Sequence, residues 1–169
     1  MENILEIGTN QRLLKKLAGN WDVEQRVWSP NSPASLAVQQ YKARRILVGN
    51  FLQEIMTPAE TAKTPWFERN SYLSYNNAAR QWEYIVIDTR YPVMLFETGL
   101  QDSRVNDTIT TCMPAFVIPP GWAGLCGGML GRNRRVFVFE NDDSDRNQQY
   151  WLVPGEKEFL AIEYTYTRQ

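Results

Sequence analysis

Trp82, Tyr84, Val86 and Asp88 recur at every second residue, so in a strand they share one face and set a carboxylate among aromatic rings. A carboxyl group held there, with Tyr84 and Tyr72 as phenol neighbours, permits proton transfer without a cofactor, of the isomerase or lyase kind. A competing reading places Asp88 at the turn into Thr89-Arg90-Tyr91-Pro92, where Asp commonly bonds local amides. Arginine outnumbers lysine 13 to 5, and a guanidinium offers planar, two-pronged recognition of a carboxylate or phosphate. In the pair Arg44-Arg45 one side chain must point to each face of a strand, and Arg69 shares a face with Phe67, Leu73 and Tyr75. The ligand-binding candidates are therefore Arg44, Arg45, Arg69, Tyr72, Tyr75, Trp82, Tyr84 and Asp88.

Other chemistries fall to subtraction. The chain has no histidine, which removes Ser-His-Asp and Cys-His catalysis, His-ligated haem and every zinc site that needs imidazole. Gly127-Gly128-Met129-Leu130-Gly131 leads to neither a Lys-Ser/Thr pair nor a helix, so no nucleotide site is expected. Asp142-Asp143-Ser144-Asp145 lacks the central Gly and distal Glu of a calcium loop and reads as a polar hairpin turn. No metal and no cofactor is expected. Arg132-Asn133-Arg134-Arg135 reads as a solvated loop entering a strand, with acids just beyond it, so nucleic acid is not an expected partner. Cys112 and Cys126, two unclustered thiols, read as small packed side chains, with a disulfide or a reactive thiol as the alternatives.

These side chains need a scaffold, and 169 residues suffice for one domain, 1–169, with a real core. The net charge is −1, about +2 over residues 1–85 and −3 over the remainder, so no charged field selects a polyanion or a membrane surface. Acidic residues near Met1 argue against a secretory leader, and a cytoplasmic protein is expected. The uncharged run Thr108–Gly131 is broken by Pro114, Pro119, Pro120 and several Gly, so no membrane insertion is expected. One segment has helical spacing: Thr9 as cap, Leu13, Leu14 and Leu17 on one face, and Gly19 as a left-handed stop. Beyond it the period is two. Strands are expected near 20–28, 37–47, 51–57, 66–75, 81–88, 92–99, 107–113, 134–141, 147–153 and 158–168, joined by turns such as Val48-Gly49-Asn50 and Asn141-Asp142-Asp143. About ten short strands after one helix describe an antiparallel up-and-down barrel of eight to ten strands, wide enough for one small ligand.

Leu13-Leu14-x-x-Leu17-Ala18-Gly19-Asn20-Trp21, Arg44-Arg45-Ile46-Leu47-Val48-Gly49-Asn50-Phe51-Leu52, Tyr72-Leu73-Ser74-Tyr75-Asn76, Trp82-Glu83-Tyr84-x-x-Ile87-Asp88-Thr89-Arg90 and Glu163-Tyr164-Thr165-Tyr166-Thr167-Arg168 together resemble the bacterial family of unknown function numbered 1579. The likeness runs over nearly the whole chain. It implies a lipocalin-like, or calycin, barrel, and Gly19-Asn20-Trp21 fits the lipocalin G-x-W signature, with Arg168 ending the last strand. The lipocalin T-D-Y motif is missing, and the resemblance implies no activity.

In a closed barrel of even strand number the last strand lies beside the first, so Trp21 and Arg168 should meet and seal one end, a structural role. The stretch Met113–Leu125 is too apolar for a surface loop and too rich in Pro and Gly for a strand; Phe116 and Trp122 are expected to belong to a lid over the barrel mouth, with a dimer contact or core packing as the alternatives. The leading expectation is a binding protein for a small apolar or amphipathic molecule, with an acidic head held by Arg44, Arg45 or Arg69. The alternatives are the Tyr/Asp/Arg proton-transfer enzyme and a homodimeric interaction protein using Ile85 and Ile87 on the outer face.

Overall fold

The computed structural model describes residues 9–62, 64–99, 104–105, 107–121, 125 and 127–169. One helix, α1 (Thr9–Lys16), precedes β1 (Gly19–Val27), β2 (Ala37–Val48), β3 (Phe51–Pro58), β4 (Arg69–Asn76), β5 (Gln81–Asp88), β6 (Tyr91–Thr98), β7 (Arg104–Val105), β8 (Thr108–Val117), β9 (Leu130–Asn141), β10 (Ser144–Leu152) and β11 (Phe159–Arg168). Ten strands close antiparallel in the order β6-β5-β4-β3-β2-β1-β11-β10-β9-β8, with β8 returning to β6; the two-residue β7 pairs only with the first residues of β8. Closure is uneven. β6 follows β5 from Glu83↔Thr98 to Asp88↔Tyr91, but among the described residues meets β8 at the single pair Thr98↔Cys112.

Alternation decides what points inward. Burial falls on Trp21, Val23 and Gln25 in β1, on Arg69, Ser71 and Leu73 in β4, on Trp82, Tyr84 and Val86 in β5, and on Asp145, Asn147, Gln149 and Trp151 in β10. Tight turns hold the register. Gly49, at φ 61°, takes the left-handed conformation in the two-residue link between Val48 and its partner Phe51. Asn141 Oδ1 accepts the Asp143 N–H at 2.9 Å in the link between Asn141 and Ser144.

Helix α1 plugs one end. Leu14 and Leu17 bury against Leu52, Leu73 and Trp82, and the Trp21 indole donates to the Leu17 carbonyl at 3.2 Å. Gly19 does not end the helix as a left-handed cap; it opens β1 at φ 145°, and a Cβ there would lie 2.5 Å from Arg168 Nη1. Arg168 does the capping instead. Its guanidinium donates to the carbonyls of Lys16 (2.7 Å), Ala18 (2.8 Å) and Asp142 (2.7 Å) and lies 4.3 Å from the Trp21 ring centre, so a cation sits at the negative end of α1.

The apolar stretch after Thr111 departs from the expected loop. β8 continues to Val117 through a bulge between Met113 and Phe116, Phe116 packs edge-on to Trp151 at 5.3 Å, and Ile118 is fully buried. A bulge tolerates Pro114 where a regular ladder would not. Phe116 is thus part of the barrel wall; Trp122 and Cys126 lie outside the described residues.

Candidate ligand-binding site

The barrel's middle carries a polar belt rather than a purely aromatic lining. Arg45, from β2, donates to Glu54 at 2.8 Å and to Asp145 at 2.5 Å, and lies 4.0 Å from the Tyr166 ring centre. Arg135, from β9, grips Glu97 through Nε and Nη2 at 2.9–3.1 Å and reaches Asn147 at 3.0 Å. Glu97, with no exposed surface, also accepts from Thr111 at 2.6 Å and Asn133 at 2.7 Å. Such pairs are satisfied but not strongly stabilising, because desolvation offsets much of the attraction. Burial pushes the Asp145 carboxyl up, Arg45 pulls it back, and Glu54 adds to the rise, since two carboxylates compete for one guanidinium. Burial also raises the phenols: Tyr41 to about 12, with Tyr164 adding and Arg90 and Arg69 opposing, and Tyr166 well above its usual range.

Arg69 differs from both. It is 3% exposed, its Nη2 donates to the Tyr84 hydroxyl at 2.9 Å, its Nη1 touches the Met56 sulfur at 4.0 Å, and its guanidinium lies 4.8 Å from the Tyr164 ring centre. No carboxylate among the described residues is within ion-pair distance of it. Burial opposes its charge most strongly, yet the phenols of Tyr84, Tyr164 and Tyr166 and the carboxylate of Glu54 more than offset this, so it remains protonated. A charge so placed retains unused N–H donors.

Arg69 lines a cavity of about 270 Å³ at the end of the barrel opposite α1, bounded by the last residues of β1, β5, β8 and β10. That volume sits near the lower edge of ligand pockets, which run from about 300 Å³. Val86, Leu95, Phe116, Trp151 and Ile162 supply apolar wall; Arg69, Arg135, Asn133, Gln149 and Tyr164 supply polar floor. Asp88 and Arg90 stand at the rim. Asp88 is committed locally: its carboxylate accepts the Arg90 backbone N–H at 3.0 Å and Arg90 Nε and Nη2 at 2.9 and 2.6 Å. The turn reading of Asp88 therefore describes these bonds, while the hydroxyls of the two tyrosines expected beside it bond elsewhere, Tyr72 to Gln53 and Tyr84 to Arg69.

The structure distributes the remaining candidates over three places. Arg69, Asp88 and Phe116 line the cavity; Arg45 and Tyr84 lie in the belt beneath it. Trp82 and Tyr75 pack against each other at 5.3 Å, and Trp82 belongs to the α1 end, out of the cavity. Arg44 and Tyr72 are corrections. Arg44 is exposed on the outer face, out of phase with Tyr41, Ala43 and Arg45, and Tyr72 accepts from Gln53 on the outer face, out of phase with Arg69, Ser71 and Leu73. Sequence reasoning missed Asn133, Arg135, Gln149, Trp151, Tyr164 and Glu97. Counting back by twos from Phe137 would have carried the inward face to Arg135 and Asn133, because β9 starts at Leu130 and the segment expected as solvated loop is strand. Asp145 likewise faces inward, the turn before it being only two residues long.

Among the described residues no group of three or more His, Cys, Asp or Glu could hold a metal ion, and no helix is long and apolar enough to cross a membrane. A family model described as "Protein of unknown function (DUF1579)" matches residues 6–168, and the chain belongs to that family. A search of curated proteins found no significant match. Among solved structures, the crystal structure of Rv2717c from M. tuberculosis is similar, with 14% identity over 97% of this chain and 99% of that chain and a TM-score of 0.59. At that identity the likeness is one of fold.

Proposed function

We propose that this protein binds a small amphipathic molecule whose anionic head sits on Arg69 and whose apolar part lies against Phe116, Trp151 and Ile162. The observation that carries the reading is a buried guanidinium that lines the cavity and, among the described residues, has no carboxylate within ion-pair distance, while the two neighbouring buried arginines are paired. Folding a lone buried charge is costly, and an anion arriving from solution removes that cost while using donors already in place. The apolar wall supplies area for a hydrocarbon or aromatic body, and the cavity volume limits that body to a compact one.

Titration calorimetry with octanoate and octanol tests this. Octanoate should bind about tenfold tighter or more, the margin expected of a charge-assisted hydrogen bond in a buried site, and Arg69→Met should reduce it to the level of the alcohol while the circular dichroism spectrum is unchanged. Equal affinity for acid and alcohol, or an Arg69→Met protein that still prefers the acid, overturns the reading. A second reading, self-association, is favoured by one observation: Ile87 faces Met94 across β5 and β6, Phe96 follows on the same outer side, and all three are exposed. Sedimentation of the parent and Met94→Glu proteins tests it; a monomer at high concentration refutes it.

A further inference from the structure

Asn133 lines the same cavity and is 4% exposed, yet its Oδ1 has no hydrogen-bond partner among the described residues. The orientation of the amide is settled by its other end. Nδ2 donates to Glu97 Oε1 at 2.7 Å, and a flipped amide would press its oxygen against that carboxylate. Oδ1 is therefore an acceptor, and one that nothing among the described residues satisfies. Buried polar atoms of this kind are rare, and leaving one unmatched costs free energy that a bound donor recovers.

The acceptor and the open guanidinium stand on different walls. Arg69 is on β4 and Asn133 on β9, four strands apart around a ring of ten, with Tyr84 reaching Arg69 by a hydrogen bond at 2.9 Å and Arg135 by its ring face at 4.7 Å between them. Trp151 is Asn133's partner across the β9–β10 ladder, so an aromatic wall adjoins the acceptor. We infer that the ligand is a donor-bearing acid: a compact molecule with a carboxylate for Arg69 at one end and a hydroxyl or N–H for Asn133 Oδ1 at the other, joined by an apolar or aromatic spacer. This rests on the binding reading above and narrows it from any amphipathic anion to a hydroxy or amino acid-like class. Gln149, which also lines the cavity, is the rival for the donor.

Three acids of nearly one shape separate these possibilities: 3-(4-hydroxyphenyl)propanoate, its 4-methoxy ether and unsubstituted 3-phenylpropanoate, each titrated into the parent protein and into Asn133→Ala. The hydroxy acid should bind about five- to tenfold tighter than the other two, the range of one recovered buried hydrogen bond, and Asn133→Ala should bring all three within about twofold. If the acids bind but show no preference for the hydroxyl, the inference is overturned and the binding reading stands. A preference that survives in Asn133→Ala also overturns it, by moving the donor's partner elsewhere. If none of the three binds, both fall. Should Asn133→Ala fail to fold, the hydroxy-against-methoxy ratio on the parent protein still decides, since a ratio of one overturns the inference without any variant.

Discussion

Arg45 and Arg69 are both buried guanidiniums inside one barrel, yet toward α1 Arg45 meets Glu54 and Asp145, whereas at the cavity floor Arg69 meets a phenol and a thioether. The same residue type is finished in one half of the lumen and left open in the other. Completed networks rigidify a core; incomplete ones are where a partner from outside is needed. Burial alone, at 6% and 3% exposure, would not separate structure from site. The inventory of partners does.

The comparison breaks hardest at Arg45. Arg45→Met strands two buried carboxylates and should cost about 3 to 5 kcal/mol in urea unfolding, whereas Arg69→Met strands no anion and should stay within about 1 kcal/mol of the parent. Similar losses for both would erase the distinction. Next in size is Gly19→Ala, at about 1 to 3 kcal/mol, because φ 145° strains an alanine and its Cβ would displace the Arg168 guanidinium from the Ala18 carbonyl. A melting temperature equal to the parent's would remove Arg168 as the seal.

A pH series sharpens the contrast. The folded protein raises the Asp145 pKa above its unfolded value near 3.8, so the protonated form is the better tolerated one. Its contribution is present below pH 3.8 and is lost as pH rises through the folded pKa, by about 1.4 kcal/mol for each unit of elevation. Asp145→Asn cannot lose it. The stability of the parent relative to Asp145→Asn should therefore fall as pH is raised from 3.8, and a difference that rises or stays flat contradicts the crowded-carboxylate picture. The smallest effect belongs to Arg44→Ala, on the outer face, which should change neither stability beyond about 0.5 kcal/mol nor octanoate affinity. A loss of binding there would bring the outer face into the site.

The barrel, its strand spacing and the meeting of Trp21 with Arg168 were legible because period-two patterning and turn residues are local signals. Parity was also enough to place Tyr72 outside once Arg69, Leu73 and Tyr75 were assigned to one face, and to favour Arg45 over Arg44 through Tyr41 and Ala43. The polar floor was not legible in the same way. Asn133, Arg135 and Asp145 are hydrophilic residues beside turns, and sequence alone weighs such residues as solvated; only the strand lengths, twelve residues for β9 and two for its turn, carry them into the lumen. Glu97 and Arg135 are 38 positions apart, a pairing that no local rule anticipates.

Thr98↔Cys112, the one pair between β6 and β8 among the described residues, has a consequence for local opening. Leu95 stands on one bank of that seam and Met113 and Phe116 on the other, so among the described residues the cavity's flank has a single rung where the β1–β2 joint has nine. Backbone amides along that bank of β6 should exchange with deuterium sooner than those of β1.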